Sequence, residues 1–346
     1  MDNGSAGSGG SGNTAGGAGS LAGGAGLARP PDGGSSARDS GAREGGTDAG
    51  GNVVGDPGTM GDGNFTITAP FHNAPELTVK QGAPQGKIVR FTMDSAQSKI
   101  FTGAGHGGTF TRNVAVYVPP GYVSATEVPF MVVQDGVRDG YINQMVPLMD
   151  NLIPAAMLPS MAGVFVDPGT VGDERSFEYD TVSEDYLNFV ETELLPLAKA
   201  QVKSQATIDL NLTQNPEGRG SMGGSSGGSC AFVMGWFHPE LYRRLLTISG
   251  TFRPNRPTPQ YPTGAAVFYE QLIPNSPAKP LRVFLEAGDA DLPGWQQAND
   301  SMAAALAAKG YHYRYILAKG AGHIDVAARS QYLPETMLWL WRGYRG

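Results

Sequence analysis

The chain has 346 residues, 40% of them hydrophobic, a formal net charge of −7 and one cysteine, Cys230. One thiol makes neither an intramolecular disulfide nor a cysteine-based zinc site, and no metal or cofactor is called for. No apolar run is long enough to span a bilayer, and no Lys/Arg cluster points to a nucleic-acid partner.

Taken in chain order, the first 60 residues hold 20 of the 50 glycines, and the first aromatic residue is Phe65. So little apolar surface cannot offset chain entropy. Residues 1–62 are therefore expected to be a disordered Gly/Ser/Ala-rich tether, and residues 63–346 one α/β domain. Met1 leads straight into Asp2 and a Gly-rich run rather than into a signal peptide. Such a leader is typical of exported bacterial proteins. The expectation is a secreted, periplasmic or surface-tethered protein whose export signal has been removed.

Beyond the tether, Lys87–Met93 and Asn113–Val118 alternate apolar residues as strands do, the second stopped by Pro119-Pro120-Gly121. Pro129–Gln134 and Gly163–Val166 are short continuous apolar runs, suited to strands buried on both faces of a mostly parallel sheet. Tyr186, Phe189, Val190 and Leu194 have helical spacing ahead of Pro196. Leu281–Leu285 reads as a strand, Gln296–Lys309 as a helix, Tyr311–Leu317 as a strand and Tyr332–Arg342 as a closing helix. Strands alternating with helices predict a mostly parallel, doubly wound α/β sheet flanked by helices. In the Tyr311–Leu317 strand, Tyr311, Tyr313 and Tyr315 share one face and are expected in the core.

A serine hydroxyl becomes a nucleophile when a base takes its proton, and a sharp strand-to-helix turn that exposes it needs very small neighbours. That requirement is the G-x-S-x-G pattern. Within Arg219–Phe232, Ser225 fits it between Gly223 and Gly227, and Ser226 fits it between Gly224 and Gly228. Ser221 begins the esterase-like string Ser-Met-Gly-Gly, with Arg219 in place of the first glycine. The bland alternative is a glycine-rich loop. The motif's place mid-chain, after several strands and before a helix-forming Cys230–Met234, favours the elbow.

These residues carry a resemblance. Arg219, Gly223, Ser225, Ser226, Gly227, Gly228, Cys230, Ala231 and Phe232 match the elbow string of the esterase D / enterochelin-esterase-like α/β-hydrolases, with Gly220 where that group usually has Ala. Val128–Gly136, Asp150–Ile153, Arg175–Asp180, Pro280–Leu285 and Trp339–Arg342 extend it across about residues 75–346. The resemblance implies the α/β-hydrolase fold, a serine esterase, and Ser225 as the nucleophile with Ser221 in the strand leading in.

The fold's chain order of serine, acid, histidine leaves His238, His312 and His323 as possible bases. His238 is expected to end the elbow helix and His312 to lie within a strand. His323, in Gly320-Ala321-Gly322-His323, follows a strand and matches the family's Gly-His signature. The acid is expected just after Leu281–Leu285, where the family's Gly-x-x-Asp pattern selects Asp291 and leaves Asp289 as the alternative. Oxyanion donors are expected at the Ser226 amide and at the Gly136 or Val137 amide after the family's Asp-Gly step. Trp295 is a possible substrate wall or a cover for its helix. Arg175 and Glu178 are possible substrate contacts, with loop-bracing ion pairs as the preferred reading. Cys230 reads as a small buried residue.

The function so implied is carboxylic-ester hydrolysis through an acyl-enzyme on the Ser225, Asp291 and His323 triad. The expected partner is a small-molecule or polysaccharide-linked ester, feruloyl or acetyl. Ferric siderophores are strongly anionic, and this chain offers no basic cluster for them. A siderophore-lactone esterase, an acyltransferase of the same fold and a catalytically dead surface-binding protein are the rival readings.

Overall fold

The computed structural model describes residues 58–344. Its strands fall where apolar runs meet Gly/Pro-rich turns. The first part holds β1 (Gly63–Thr68), β2 (Lys87–Asp94), β3 (Thr111–Val118), a short β4 (Glu127–Val128) and β5 (Phe130–Gln134). Helix α1 (Tyr141–Leu152), β6 (Ala162–Val166), α2 (Glu174–Asp180) and α3 (Asp185–Phe189) follow. A π turn at Val190–Leu194 joins α3 to α4 (Leu195–Ala206), and a short β7 (Asn211–Leu212) pairs with β4. The second part holds β8 (Arg219–Gly224), α5 (Ser226–Phe237), β9 (Arg244–Ile248), the single turn α6 (Ile273–Asn275) and β10 (Arg282–Gly288). It ends with α7 (Trp295–Ala308), β11 (His312–Lys319) and α8 (Val326–Leu340).

Nine strands form one sheet in the order β1-β11-β10-β9-β8-β5-β6-β3-β2. Only the pairs β2–β3 and β3–β6 are antiparallel. Strand alternation assigns each face its own core. Along β5, Phe130 and Val132 join the cluster under α4, α5 and α7, and Met131 and Val133 join the cluster under α1 and α8. This is the doubly wound sheet expected of an α/β-hydrolase. Because β8 lies mid-sheet, the carboxyl end of the sheet beside it is where such folds build their sites.

One helical segment runs past the proline expected to bound it, and another starts earlier than expected. The α3 helix continues through Pro196 because the π turn shifts the pairing: the Leu195 N–H donates to the Val190 carbonyl, and Pro196 opens the next segment. The closing helix starts at Val326, six positions before Tyr332, because the Asp325 carboxylate caps it by accepting from the Ala327 and Ala328 N–H groups. Pro334 lies inside it. A proline there leaves the carbonyl four residues back without its helical donor. That carbonyl, on Ser330, accepts instead from the Ala74 N–H at 3.1 Å.

The expected tether lies outside the described residues except for its last five positions. Of these, Asp62 is bonded to the domain: its carboxylate lies 2.7 Å from His312 Nδ1 and accepts from Trp339 Nε1 at 2.9 Å. Strand β1 then adds to the sheet edge beside β11.

Candidate active site

Strand β8 delivers the chain to Ser225, whose φ is +55° and ψ −127°. For a residue with a side chain this backbone costs about 1–3 kcal/mol and persists only where its surroundings enforce it. Here the Ser225 N–H donates to the Ile248 carbonyl at 2.8 Å, and the Ser225 carbonyl accepts from the Gly228 N–H at 2.9 Å. The turn is so tight that a Cβ on Gly223 would stand 2.4 Å from the Gly227 carbonyl group. A Cβ on Gly224 would stand 2.0 Å from the Tyr141 hydroxyl. The glycines behind the Ser226 register therefore serve the packing of the Ser225 turn. Ser226 is the first residue of α5 and buried, and Ser221 lies within β8, fully buried, accepting from Gln134 Nε2 at 3.0 Å.

His323 follows β11, and its Nε2 lies 2.9 Å from Ser225 Oγ. Its Nδ1 lies 2.6 Å from Asp291 Oδ1. The Asp291 side chain is fully buried and His323 retains a partly exposed edge. Three residues far apart in the chain thus meet in one hydrogen-bonded line. The histidine loop is itself pinned, since the Ile324 N–H donates to Ser249 Oγ at 3.2 Å while Ile324 holds a φ of +47°. Asp289 does a different job: its carboxylate accepts from the Gly320 N–H at 2.6 Å and ties the β10 and β11 loops together. The other candidate bases are elsewhere. His238 ends α5 between Glu240 and Glu184, and His312 is tied to Asp62.

Glu286, earlier in β10, is fully buried against α8. Burial, reinforced by the Asp291 and Asp325 carboxylates, pushes its acid up to about 8. Cys230 is buried in α5, and burial raises its thiol well above the usual range, which suits a packed and unreactive group.

The Ser226 amide stands in the first turn of α5, where helix N–H groups lack intrahelical acceptors and the dipole favours negative charge. The opposing loop is differently arranged. The Gly136 N–H donates to the Val166 carbonyl at 3.3 Å, and the Val137 and Arg138 N–H groups both donate to Asp167 Oδ1, at 3.0 and 2.9 Å. Both loop amides expected at the oxyanion position therefore already have acceptors. Arg175 grips Asp135 of the same loop through two bonds, at 3.1 and 2.8 Å, and Glu178 holds Arg112 at 2.7 Å. Both residues thus brace the frame around the loop. Beside it lies a cleft of about 360 Å³ lined by Arg138, Gly169, Thr170, Asp173, Arg175 and Ser176. Trp295 stands edge-on to the His323 ring at 5.6 Å, with the Arg253 guanidinium 4.4 Å over its own ring. It walls His323 as well as opening α7.

Sequence reasoning missed Thr251, whose Oγ1 lies 3.4 Å from Ser225 Oγ. The signal was Ser249-Gly250-Thr251 at the carboxyl end of β9, a strand that the sequence reading did not identify. Among the described residues, no group of three or more His, Cys, Asp or Glu side chains is placed to hold a metal, and no helix is long and apolar enough to cross a membrane.

Comparison with known proteins follows the same lines. The "Uncharacterized protein YbbA" of Bacillus subtilis (strain 168) is 22% identical over 153 residues, 41% of this chain and 57% of its own. The enterochelin esterase of Shigella flexneri is similar in structure, with a TM-score of 0.54 and 25% identity over 77% of this chain and 60% of its own. This chain spans about three fifths of the length of either. A ferulic acid esterase of the anaerobic fungus Anaeromyces mucronatus shares the fold, with a TM-score of 0.56 and 15% identity over 80% of this chain and 98% of its own. The family described as "Putative esterase" matches residues 110–332. That span exceeds half of the chain and carries the whole Ser225, Asp291 and His323 arrangement, so the chain belongs to this esterase family, on the α/β-hydrolase fold.

Proposed function

We propose that the chain hydrolyses carboxylic esters through an acyl-enzyme on Ser225. The observation that carries this is the line from Ser225 Oγ to His323 Nε2 at 2.9 Å and from His323 Nδ1 to Asp291 Oδ1 at 2.6 Å. In this reading His323 takes the Ser225 proton as Oγ attacks the ester carbonyl and returns it to the departing alcohol. Asp291 orients the ring and stabilises its protonated form. The Ser226 amide donates to the developing oxyanion. A Gly136 or Val137 donor would require that amide to leave its present acceptor, and Val137 would have to leave Asp167.

The substrate is proposed to be a small acyl, acetyl or feruloyl ester linked to carbohydrate, met outside the cytoplasm. Two arginines beside the loop opposite the elbow support this over a strongly anionic siderophore, since Arg175 and Arg138 are both paired with Asp135. The test is a screen of short-chain aryl esters, acetylated and feruloylated xylan, and a siderophore lactone, with products followed with and without added sugar. Release of free acid irrespective of added sugar is expected. Transfer of the acyl group to the sugar would establish the acyltransferase reading, and preference for the lactone would overturn the substrate class.

A further inference from the structure

Residues 249–251 follow β9 and form a wall against the nucleophile. Ser249 has a φ of +47°. Three bonds enforce that turn. The Ser249 N–H donates to the Glu286 carbonyl at 2.8 Å, Ser249 Oγ accepts from the Ile324 N–H, and the Gly250 carbonyl accepts from Asn299 Nδ2 at 3.0 Å. A Cβ on Gly250 would stand 2.5 Å from the Phe252 ring. The turn therefore has one arrangement, and it aims Thr251 back at the elbow. The Thr251 N–H donates to the Ser225 carbonyl at 3.1 Å, and its Oγ1 lies 3.4 Å from Ser225 Oγ. Thr251 is 1% exposed. Among the described residues its hydroxyl is bonded to no other group than Ser225 Oγ.

We propose that Thr251 is a catalytic residue whose hydroxyl donates to Ser225 Oγ and stabilises the charge on that oxygen in both half-reactions. The proposal rests on Ser225 being the nucleophile. In acylation the Oγ proton passes to His323 Nε2, the bond from Oγ to the carbonyl carbon forms, and the carbonyl π pair moves onto oxygen. The intermediate collapses as the alcohol leaves with the histidine's proton. In deacylation water gives a proton to His323 and adds to the acyl carbon. Collapse then breaks the bond to Oγ, which takes the proton from His323. Before and after, Oγ is a neutral hydroxyl, and between the two steps it is an ester oxygen, a poor acceptor. It is electron-rich only while its bond to carbon is being made or broken. A donor held at 3.4 Å is weakly engaged at rest and strengthens as that charge grows. Such a contact lowers the barrier without tightening substrate binding.

The experiment compares Thr251→Val, which keeps the shape and removes the hydroxyl, with Thr251→Ser, which keeps the hydroxyl and removes the methyl. For Thr251→Val, kcat on p-nitrophenyl acetate should fall about tenfold, or about 1.4 kcal/mol, with KM unchanged. Its rate of labelling by a fluorophosphonate probe should fall alike. Thr251→Ser should stay within about threefold of the parent, on the same hydrogen-bond argument. Ser225→Ala is run beside them. If it still turns over, the nucleophile reading fails first. If it is dead while Thr251→Val keeps the parent kcat, the Thr251 proposal alone is overturned. A Thr251→Ser enzyme as slow as Thr251→Val also overturns it, because lost packing would then explain both.

Discussion

Replacing Asp291 with Asn tests the site most sharply, because the structure says which part of the carboxylate matters. Oδ1 accepts twice, from the Leu292 N–H at 2.6 Å and at His323 Nδ1, also 2.6 Å away. Oδ2 is buried with no donor. An Asn that keeps its oxygen in the Oδ1 place preserves both bonds, whereas the flipped amide would set its NH2 against the Leu292 N–H. The first orientation wins, and His323 keeps the tautomer that leaves Nε2 free to accept. What disappears is the negative charge facing the imidazolium. Charge-assisted hydrogen bonds are about twice as strong as neutral ones, so the loss should be about 2–4 kcal/mol of transition-state stabilisation, roughly 30- to 1,000-fold in kcat. That is milder than the roughly 10⁴-fold loss of the reference serine-protease triad, where the tautomer is lost too. The amide's NH2 takes the donorless Oδ2 place, at a cost of about 1–3 kcal/mol in stability. The measurement is kcat on p-nitrophenyl acetate with active sites counted by fluorophosphonate titration, alongside calorimetry. Asp289→Asn is the companion variant: an amide oxygen can still accept from the Gly320 N–H, so kcat should stay within about tenfold. If Asp289→Asn is the more damaged enzyme, or Asp291→Asn keeps more than a tenth of the parent kcat, the assignment of the acid is wrong.

Three further outcomes follow from the same contacts. Ser225→Ala should lose ester hydrolysis and fluorophosphonate labelling, whereas Ser221→Ala should keep labelling and lose about 1 kcal/mol of stability from the bond to Gln134; the opposite pattern would move the nucleophile to Ser221. Glu286 is protonated in the folded protein up to about pH 8, above the ordinary 4.5 of the unfolded chain. The stability it contributes is therefore full below about pH 4.5 and lost as pH rises through about 8. Glu286→Gln removes this dependence, so its melting temperature should fall less than the parent's between pH 5.5 and 8.5, and an equal fall would refute the burial argument. Asp62→Ala should lower stability by about 1–3 kcal/mol by leaving Trp339 Nε1 without its carboxylate acceptor, while deletion of residues 1–57 should leave the melting temperature unchanged; calorimetry of both decides where the folded unit starts.

The parts of the fold legible in the sequence are those that announce themselves locally. Strands β5 and β6 are unbroken apolar runs because both faces of the sheet are covered. Strand β8 is Arg-Gly-Ser-Met-Gly-Gly, with no β-branched residue, because its glycines make room for Met131 and for the α5 turn. Strand β1 is mostly exposed and its apolar alternation is limited to Phe65 and Ile67, too short to stand out. The stop expected at Pro196 and the start expected at Tyr332 are both displaced, for different reasons: at Pro196 a local π turn re-pairs the Leu195 N–H with the Val190 carbonyl, whereas the closing helix is capped earlier by Asp325 and its Pro334 is accommodated by the Ala74 N–H, remote in sequence, bonding the Ser330 carbonyl. The candidate site divides in the same way. The glycines around Ser225, and the loops carrying His323 and Asp291, are visible as strings. The Asp167 clamp on Val137 and the approach of Thr251 to Oγ arise only when separate strand ends converge, and no local pattern encodes them.

The pairing of β1 with β11 sets an order of events for the chain. Asn64 lies opposite Tyr315 in that ladder, so β1 is synthesised well before the strand it pairs with. At ordinary synthesis rates of about 5–20 residues per second, the interval between them is roughly 10–50 s. Over that time β1 has no ladder to join, and closing so long a loop adds to the entropy that the final pairing must overcome. Its mostly exposed, polar-leaning sequence, Gly-Asn-Phe-Thr-Ile-Thr, is suited to such a wait, because it offers little for premature collapse. The same late step brings in His323, which follows β11 directly. A nascent chain halted before that strand therefore has both an open sheet edge and no His323 beside Ser225, so under the proposed triad completion of the sheet and the onset of activity would coincide.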